Sequence, residues 1–248
     1  MFLPEGFDIA AARECADLVL QAYDQFENPA VWKIPPAYQN LGNLFAANEA
    51  FGFVARNLAT NDVFVTFRGT QTTMDWLANL TLPPVHYLWG AAERGFSTLY
   101  AACAGSIATA LKRSDVPPPR TVYVSGHSLG GALAVLAAAD IVNSLLAEKP
   151  KMYTFAGPRA VDPGFADKFN QRIANAWRVV NTEDIVTTVP LATVVVGDNS
   201  LKSGALAAIL HSSEEVNYEH VGIPVSFTKH CGSIIANHNM ETVYRAAL

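Results

Sequence analysis

The chain has 248 residues, of which 50% are hydrophobic and 16% are charged, and this composition excludes a disordered or fibrous protein. Its 17 basic and 22 acidic side chains give a formal net charge of −5, so we expect no basic face for nucleic acid. At roughly 150 residues per domain, the length favours a single domain over residues 1–248.

The sequence carries no pattern typical of export, membrane insertion or metal binding. Cys15, Cys103 and Cys231 are widely spaced. This spacing matches neither a disulfide framework nor a metal-binding knuckle. The N-terminus lacks a basic segment followed by an apolar one, and the longest apolar run, Ala132–Ala139, is too short to span a bilayer. We expect a cytoplasmic protein without a transmembrane segment, or a secreted one if a signal peptide has been removed, and no metal or cofactor.

The first half of the chain combines one amphipathic helix with short strands. Residues Asp8–Phe26 place apolar side chains at steps of three and four behind an aspartate that can cap the first turn. Strand-like runs follow at Phe51–Ala55 and Val63–Phe67, and helix signals return from Gly95 to Arg113. The run Pro117–Pro119 is expected to be a stiff surface connector.

The second half alternates between strands and helices. The predicted elements are strand Thr121–Val124, helix Leu129–Leu146, strand Met152–Phe155, helix Pro163–Ala174 and strand Trp177–Val180. Short strands within Val216–Phe227 and a C-terminal helix with Met240, Val243 and Tyr244 follow. Strands separated by helices of this length favour parallel βαβ units with helices on both faces of one sheet.

The sequence Gly126-His127-Ser128-Leu129-Gly130 fits the pattern G-x-S-x-G between a predicted strand and a predicted apolar helix. A nucleophile elbow requires small residues on both sides of the serine, because its backbone is strained and neighbouring chains approach closely. The alternative is a tight glycine turn with an incidental serine. The context favours Ser128 as a nucleophile.

A serine nucleophile needs a histidine base, which an acid orients. Where this motif forms a nucleophile elbow, the acid and then the histidine follow the serine in chain order. This order excludes His86 and His127 and leaves His211, His220, His230 and His238. His238 precedes the final helix, on a late loop that can reach over the strand ends. We expect His220 to make a structural hydrogen bond, and His211 and His230 to lie on the surface.

Asp184 is the best candidate for the acid. It follows strand Trp177–Val180 directly, where a parallel sheet delivers loop residues to its carboxyl edge. The neighbouring Glu183 is expected to point elsewhere. Asp140 lies within an apolar helix and Asp162 begins the next one, where solvation and capping are the expected roles.

Four ordered segments resemble the class 3 lipases: Phe67-Arg68-Gly69-Thr70, the GHSLGG elbow, NTEDIVTTVP and HNMETVY. The resemblance implies an α/β-hydrolase fold, with a central, mostly parallel sheet flanked by helices and a short lid. It also implies a triad of Ser128, Asp184 and His238 that hydrolyses acylglycerol or phospholipid esters without metal or cofactor. These positions agree with those reached from the residues alone.

The same resemblance implies an oxyanion hole and a lid. Thr70 and Leu129 match the oxyanion-hole positions, although Thr70 can also be a plain turn residue. Residues 71–83 match the lid, although an amphipathic surface helix that never moves would have the same pattern. The apolar lid residues are Trp76, Leu77 and Leu80.

The function expected from these features is hydrolysis of carboxylic ester bonds of lipids through an acyl-serine intermediate, as in a triacylglycerol lipase. The alternatives on the same machinery are a phospholipase A1 and a short-chain carboxylesterase. A hydrolase-fold protein that binds lipid without turnover is the non-enzymatic alternative. The expected partner is a lipid ester, presented at a lipid–water interface.

Overall fold

The computed structural model describes residues 3–46, 48–70, 84–196 and 214–248. The helical elements are α1 (Ile9–Glu27), α2 (Arg94–Leu111), α3 (Leu129–Asn143), α4 (Pro163–Arg172), a 3₁₀ turn (Ile185–Thr188), α5 (Ile234–Asn237) and a π-helix (Met240–Arg245). The strands are β1 (Tyr38–Ala46), β2 (Glu49–Asn57), β3 (Val63–Phe67), β4 (Val85–Tyr87), β5 (Gly90–Ala92), β6 (Val122–His127), β7 (Lys151–Phe155), β8 (Ala176–Asn181), β9 (Thr193–Val196), β10 (Glu214–Asn217) and β11 (Ile223–Phe227).

The central sheet has the strand order β1-β2-β3-β6-β7-β8-β11 in the part of the chain that the structure describes. The first three strands pair antiparallel, and all neighbours from β3 to β11 pair parallel. Two short hairpins, β4 with β5 and β9 with β10, form separate ladders. The helical crossovers between parallel strands confirm the α/β class that the alternating pattern predicts.

The parallel register brings three loops to the same edge of the sheet. His127 at the end of β6 lies opposite Phe155 of β7, and Phe155 lies opposite Val179 of β8. Asn181 at the end of β8 lies opposite Phe227 of β11. Because the carboxyl ends of parallel strands meet at one edge, the loops after β6, β8 and β11 leave the sheet side by side.

Helices cover both faces of the sheet. On one face lies α1, whose capping Asp8 accepts hydrogen bonds from the N–H groups of Ala10 (2.9 Å) and Ala11 (3.1 Å). On the other face α3 packs against β3, β6 and β7 and is covered in turn by α2. A helix enclosed in this way can be apolar on all sides, which accounts for the run Ala132–Ala139.

The predicted elements from α1 to β8 are present with small shifts at their ends, and the differences lie at the edges of the sheet. The sequence analysis missed β1, whose polar residues and Gly42 hide the strand pattern. An edge strand has one neighbour and needs no continuous apolar face. The hairpin of β4 and β5 was also missed. The predicted C-terminal helix is a π-helix, with Met240, Val243 and Tyr244 buried.

None of the helices in the described ranges combines the length and the apolar character needed to cross a membrane. Within the same ranges, the side chains of His, Cys, Asp and Glu form no group of three or more that could hold a metal ion.

Candidate active site

Ser128 lies in the turn between β6 and α3 with φ of 57° and ψ of −127°. A residue with a side chain adopts this region rarely, at a cost of about 1–3 kcal/mol. A Cβ atom on Gly126 would lie 2.0 Å from the carbonyl oxygen of Gly130, and one on Gly130 would lie 2.4 Å from that of Arg68. The structure therefore confirms that the turn needs glycine on both sides of a strained serine.

Thr70 is held beside this turn by the packing of its neighbour. A Cβ atom on Gly69 would lie 2.8 Å from the Cβ of Ser128 and 2.9 Å from the carbonyl oxygen of His127. The backbone before Thr70 is thus in direct contact with the elbow. Leu129 is the first residue of α3, where a backbone N–H has no carbonyl of its own helix to bond.

The structure brings Asp184 and His238 together, although they are 54 residues apart. His238 donates from Nδ1 to Asp184 Oδ2 at 2.7 Å, and the two side chains are 4% and 0% exposed. The Tyr244 hydroxyl donates to the same carboxylate oxygen at 2.6 Å, and the N–H of Val186 donates to the other one at 3.0 Å. Burial and the Asp184 charge raise the pKa of Tyr244, so its hydroxyl remains a donor.

Three buried polar atoms at this site have no hydrogen-bond partner among the described residues. They are Ser128 Oγ, His238 Nε2 and Thr70 Oγ1. Buried polar atoms are normally hydrogen-bonded, and functional sites are where exceptions occur. A nucleophilic hydroxyl, the free nitrogen of an oriented imidazole and a hydroxyl donor are the groups that acyl transfer requires.

A chain of hydrogen bonds runs beneath the site through His127. The N–H of Gly69 donates to the Tyr23 hydroxyl at 3.0 Å, and this hydroxyl donates to His127 Nδ1 at 2.7 Å. His127 Nε2 in turn donates to the carbonyl oxygen of His238 at 2.9 Å. Burial, and then His238, lower the pKa of His127 well below its usual range, so the ring is neutral with its proton on Nε2.

Two buried asparagines connect the loop of Asp184 with the loop of His238. Asn181 donates from Nδ2 to the carbonyl oxygens of Lys229 (2.9 Å) and Asn237 (3.1 Å). Asn237 donates from Nδ2 to the carbonyl oxygen of Glu183 at 2.9 Å and accepts from the N–H of Cys231 at 2.6 Å. Sequence analysis missed these residues, together with Tyr23, His127 and Tyr244. The available signal was the position of His127, Asn181 and Tyr244 within the motifs GHSLGG, NTEDIVTTVP and HNMETVY.

Two of the other candidate histidines, His220 and His230, lie outside the triad, as expected. His220 donates from Nε2 to the carbonyl oxygen of Thr187 at 2.8 Å, which is the structural hydrogen bond that the sequence predicts. His230 is 71% exposed and lies 3.2 Å from the carboxylate of Glu183, which therefore points away from the site. His211 lies outside the described residues.

The remaining carboxylates have structural partners. The Tyr100 hydroxyl donates to Asp140 at 2.7 Å. Asp162 caps α4 and accepts from the N–H of Phe165 at 2.8 Å, which confirms the capping interpretation. The predicted lid, residues 71–83 with Trp76, Leu77 and Leu80, lies outside the described residues.

Comparisons with known proteins identify relatives of this chain. The lipase of Rhizomucor miehei is 35% identical over 146 residues, which are 56% of this chain and 40% of that protein. Phospholipase A1 EG1 of Oryza sativa subsp. indica is 31% identical over 218 residues, which are 76% of this chain and 48% of that protein. The chain thus spans less than half the length of these two relatives.

The solved structure of the triacylglyceride lipase of Rhizomucor miehei has a TM-score of 0.65 at 26% identity, covering 74% of this chain and 75% of that one. This similarity, together with the sheet described above, confirms the predicted α/β-hydrolase fold. The family model for lipase (class 3) matches residues 64–194, which is more than half of the sequence. The chain therefore belongs to the class 3 lipase family.

Proposed function

We propose that this chain hydrolyses carboxylic ester bonds of lipids, with Ser128 as nucleophile, His238 as base and Asp184 as the acid that orients the base. The observation that carries the proposal is the buried hydrogen bond of 2.7 Å between His238 and Asp184, beside a strained serine whose hydroxyl has no partner among the described residues. Such a pair leaves His238 Nε2 free to accept the serine proton.

The reaction would proceed through an acyl-enzyme. Ser128 Oγ attacks the ester carbonyl while its proton passes to His238 Nε2, and the carbonyl oxygen becomes an oxyanion. The N–H of Leu129, and the N–H and hydroxyl of Thr70, are suited to donate to this oxygen. The intermediate collapses as the His238 proton passes to the leaving alcohol. Water then attacks the acyl-serine with the same base and releases the fatty acid.

Exposed aliphatic side chains next to the triad support a lipid as the substrate. Ile185, directly after Asp184, is 47% exposed, and Ile234 and Ile235, shortly before His238, are 40% and 67% exposed. Apolar side chains at the rim of a site favour contact with a lipid–water interface. The relatives named above are a lipase and a phospholipase A1, which keeps both ester classes within the proposal.

Residues 71–83 are proposed as the lid over the acyl groove, and residues 1–248 as one α/β-hydrolase domain. For the lid, the support is that it follows Thr70 in the sequence, and β3 before Thr70 ends at the edge of the sheet where the triad loops leave it. Movement of such a segment would expose the groove when the protein meets an oil surface. No cofactor takes part in the proposed reaction.

Rates on p-nitrophenyl esters from C2 to C18, and on emulsions of triacylglycerol and of phosphatidylcholine, test the proposal. We expect turnover that is lost in Ser128→Ala, with the best rates on long acyl chains. A preference for C2 to C4 would support the short-chain esterase, and a preference for phosphatidylcholine would support the phospholipase A1. Absence of turnover on all substrates would contradict hydrolysis and favour the lipid-binding alternative.

A further inference from the structure

Arg178 on β8 is half-buried, and its surroundings differ from those of the buried Arg68. Its neighbours Trp177 and Val179 belong to the apolar cluster under α1, so the alternation of the strand directs Arg178 to the opposite face of the sheet. Arg68 is paired with Glu49. The guanidinium of Arg178 has neither a hydrogen bond nor an ion pair with any described residue, and its Nε atom is fully buried.

Arg178 lines an open cleft of about 430 Å³ together with Arg159 and His220. Arg159 donates from Nη1 to the carbonyl oxygens of Thr188 and, at 2.8 Å, of Pro190, which leaves other N–H groups of its guanidinium for a ligand. The donors of the cleft therefore come from two separate elements, β8 and the loop after β7. Two arginines from separate elements thus line one cleft, whereas surface arginines are usually dispersed.

A further donor stands at the mouth of the cleft, formed by β9 and β10. The Thr193 hydroxyl donates to Asn217 Oδ1 at 2.9 Å, so the amide nitrogen of Asn217 is left as a donor. Glu219 is the carboxylate among the lining residues, and the structure shows no ion pair between it and either arginine. The charge of Arg178 is thus uncompensated by protein groups of the described ranges.

The two arginines of the cleft affect the ionisation of their neighbours. Burial, and then the charge of Arg159, lower the pKa of Arg178 to about 10. Burial, and then the charge of Arg178, lower the pKa of His220 to about 3, so this ring is neutral. A half-buried cation without a counter-ion is costly, and an anion that bridges both guanidiniums would remove that cost.

We propose that this cleft is a binding site for the phosphate group of a phosphate ester, held by Arg178 and Arg159 with Asn217 as an additional donor. Two guanidiniums and an amide suit an anion with several acceptor oxygens, and the volume admits more than a bare ion. The lining residues of the cleft do not include Ser128, Asp184 or His238, so the cleft is distinct from the proposed catalytic groups.

Titration calorimetry at constant ionic strength tests the site with inorganic phosphate and with glycerol 3-phosphate. In Arg178→Gln we expect binding to weaken by about tenfold or more, because a charge-assisted hydrogen bond is lost. Arg178→Lys keeps the charge but lacks the planar guanidinium, so its affinity should lie between those of the parent and Arg178→Gln. Arg13→Gln, which changes an exposed arginine on α1, is the matched control and should bind like the parent. Glu219→Gln should bind about threefold more tightly, because a nearby like charge is removed.

Vesicles distinguish the two sources of phosphate. In a Ser128→Ala background, which prevents hydrolysis, co-sedimentation is compared for vesicles of phosphatidic acid with phosphatidylcholine and of phosphatidylcholine alone. Selective, Arg178-dependent binding to phosphatidic acid vesicles would support a lipid headgroup. Arg178-dependent binding of glycerol 3-phosphate without selectivity among the vesicles would support a soluble phosphate ester. The proposal is overturned if the parent binds neither probe saturably and shows no selectivity among vesicles, or if Arg178→Gln binds as the parent does.

Discussion

The nucleophile elbow and the loops that hold Asp184 and His238 reach their geometry in different ways. Ser128 is fixed by backbone packing, because Gly126 and Gly130 leave no room for a Cβ atom. The Asp184–His238 pair is fixed by side-chain hydrogen bonds, with Asn181 and Asn237 linking its two loops. A turn that is held by close packing is disrupted when a substitution adds an atom. A pair of loops that is held by hydrogen bonds is disrupted when a substitution removes a donor or an acceptor. Each region therefore has its own diagnostic substitution.

The largest effect is expected from Ser128→Ala, which removes the proposed nucleophile and leaves the packed turn unchanged. Ester turnover should fall by about 10⁵-fold, because triad members act as a unit. Labelling by a fluorophosphonate should disappear while the unfolding midpoint stays near that of the parent. Retained labelling would mean that another residue is the nucleophile and that the turn at Ser128 has no catalytic role.

Asp184→Asn is the corresponding change in the bonded loops. It should lower turnover by about 10⁴-fold, because the amide favours the wrong tautomer of His238. Glu183→Gln is the matched control, since the neighbouring carboxylate is exposed and faces His230. Kinetics of both variants on one soluble ester decide the point. Equal losses in the two variants would contradict the role of Asp184.

Thr70 combines backbone packing with side-chain hydrogen bonding, because the closely packed backbone at Gly69 holds the Thr70 hydroxyl beside the elbow. In Thr70→Val the shape is kept and the hydroxyl is lost, so kcat should fall by roughly 10² to 10³ with little change in KM. Steady-state kinetics on a soluble ester separate the two constants. A normal kcat would mean that backbone N–H groups alone stabilise the oxyanion.

The smallest effects are expected on stability, from two glycines in different surroundings. Gly130→Ala places a Cβ atom 2.4 Å from a backbone carbonyl oxygen, and the free energy of unfolding should fall by about 3 kcal/mol. Gly105→Ala, on the exposed side of α2 with no atom within 4 Å of the new Cβ, should gain about 1 kcal/mol from helix propensity. Urea denaturation measures both. A stable Gly130→Ala would contradict the packing account of the elbow.

The fold could be predicted from the sequence wherever burial leaves a pattern. Helix α1 shows its apolar stripe, and α3 is apolar throughout because the sheet and α2 enclose it. Strand β1 could not be found in this way, because an edge strand with a bulge near Gly42 is buried on only part of one face. The sequence predicts a helix for the C-terminal segment, and the structure shows a π-helix that packs against α1 and β8, a form that the apolar pattern does not specify.

The sequence predicts the chemical groups of the candidate site but not the residues that position them. Ser128 stands in a local motif, and Asp184 and His238 stand at recognisable places after strands. Tyr23 reaches His127 across 104 residues of sequence, a contact that no local pattern signals.

The two ends of the chain meet beside the site, and this limits how the protein can be shortened. Arg245 in the π-helix pairs with Asp17 of α1, and the same two elements supply Tyr244 and Tyr23. Residues 64–194, which carry the family match, contain Ser128 and Asp184 but neither His238 nor these tyrosines. A chimaera that transplants the matched segment alone would inherit the proposed nucleophile without the proposed base. The smallest transferable unit must include both terminal segments.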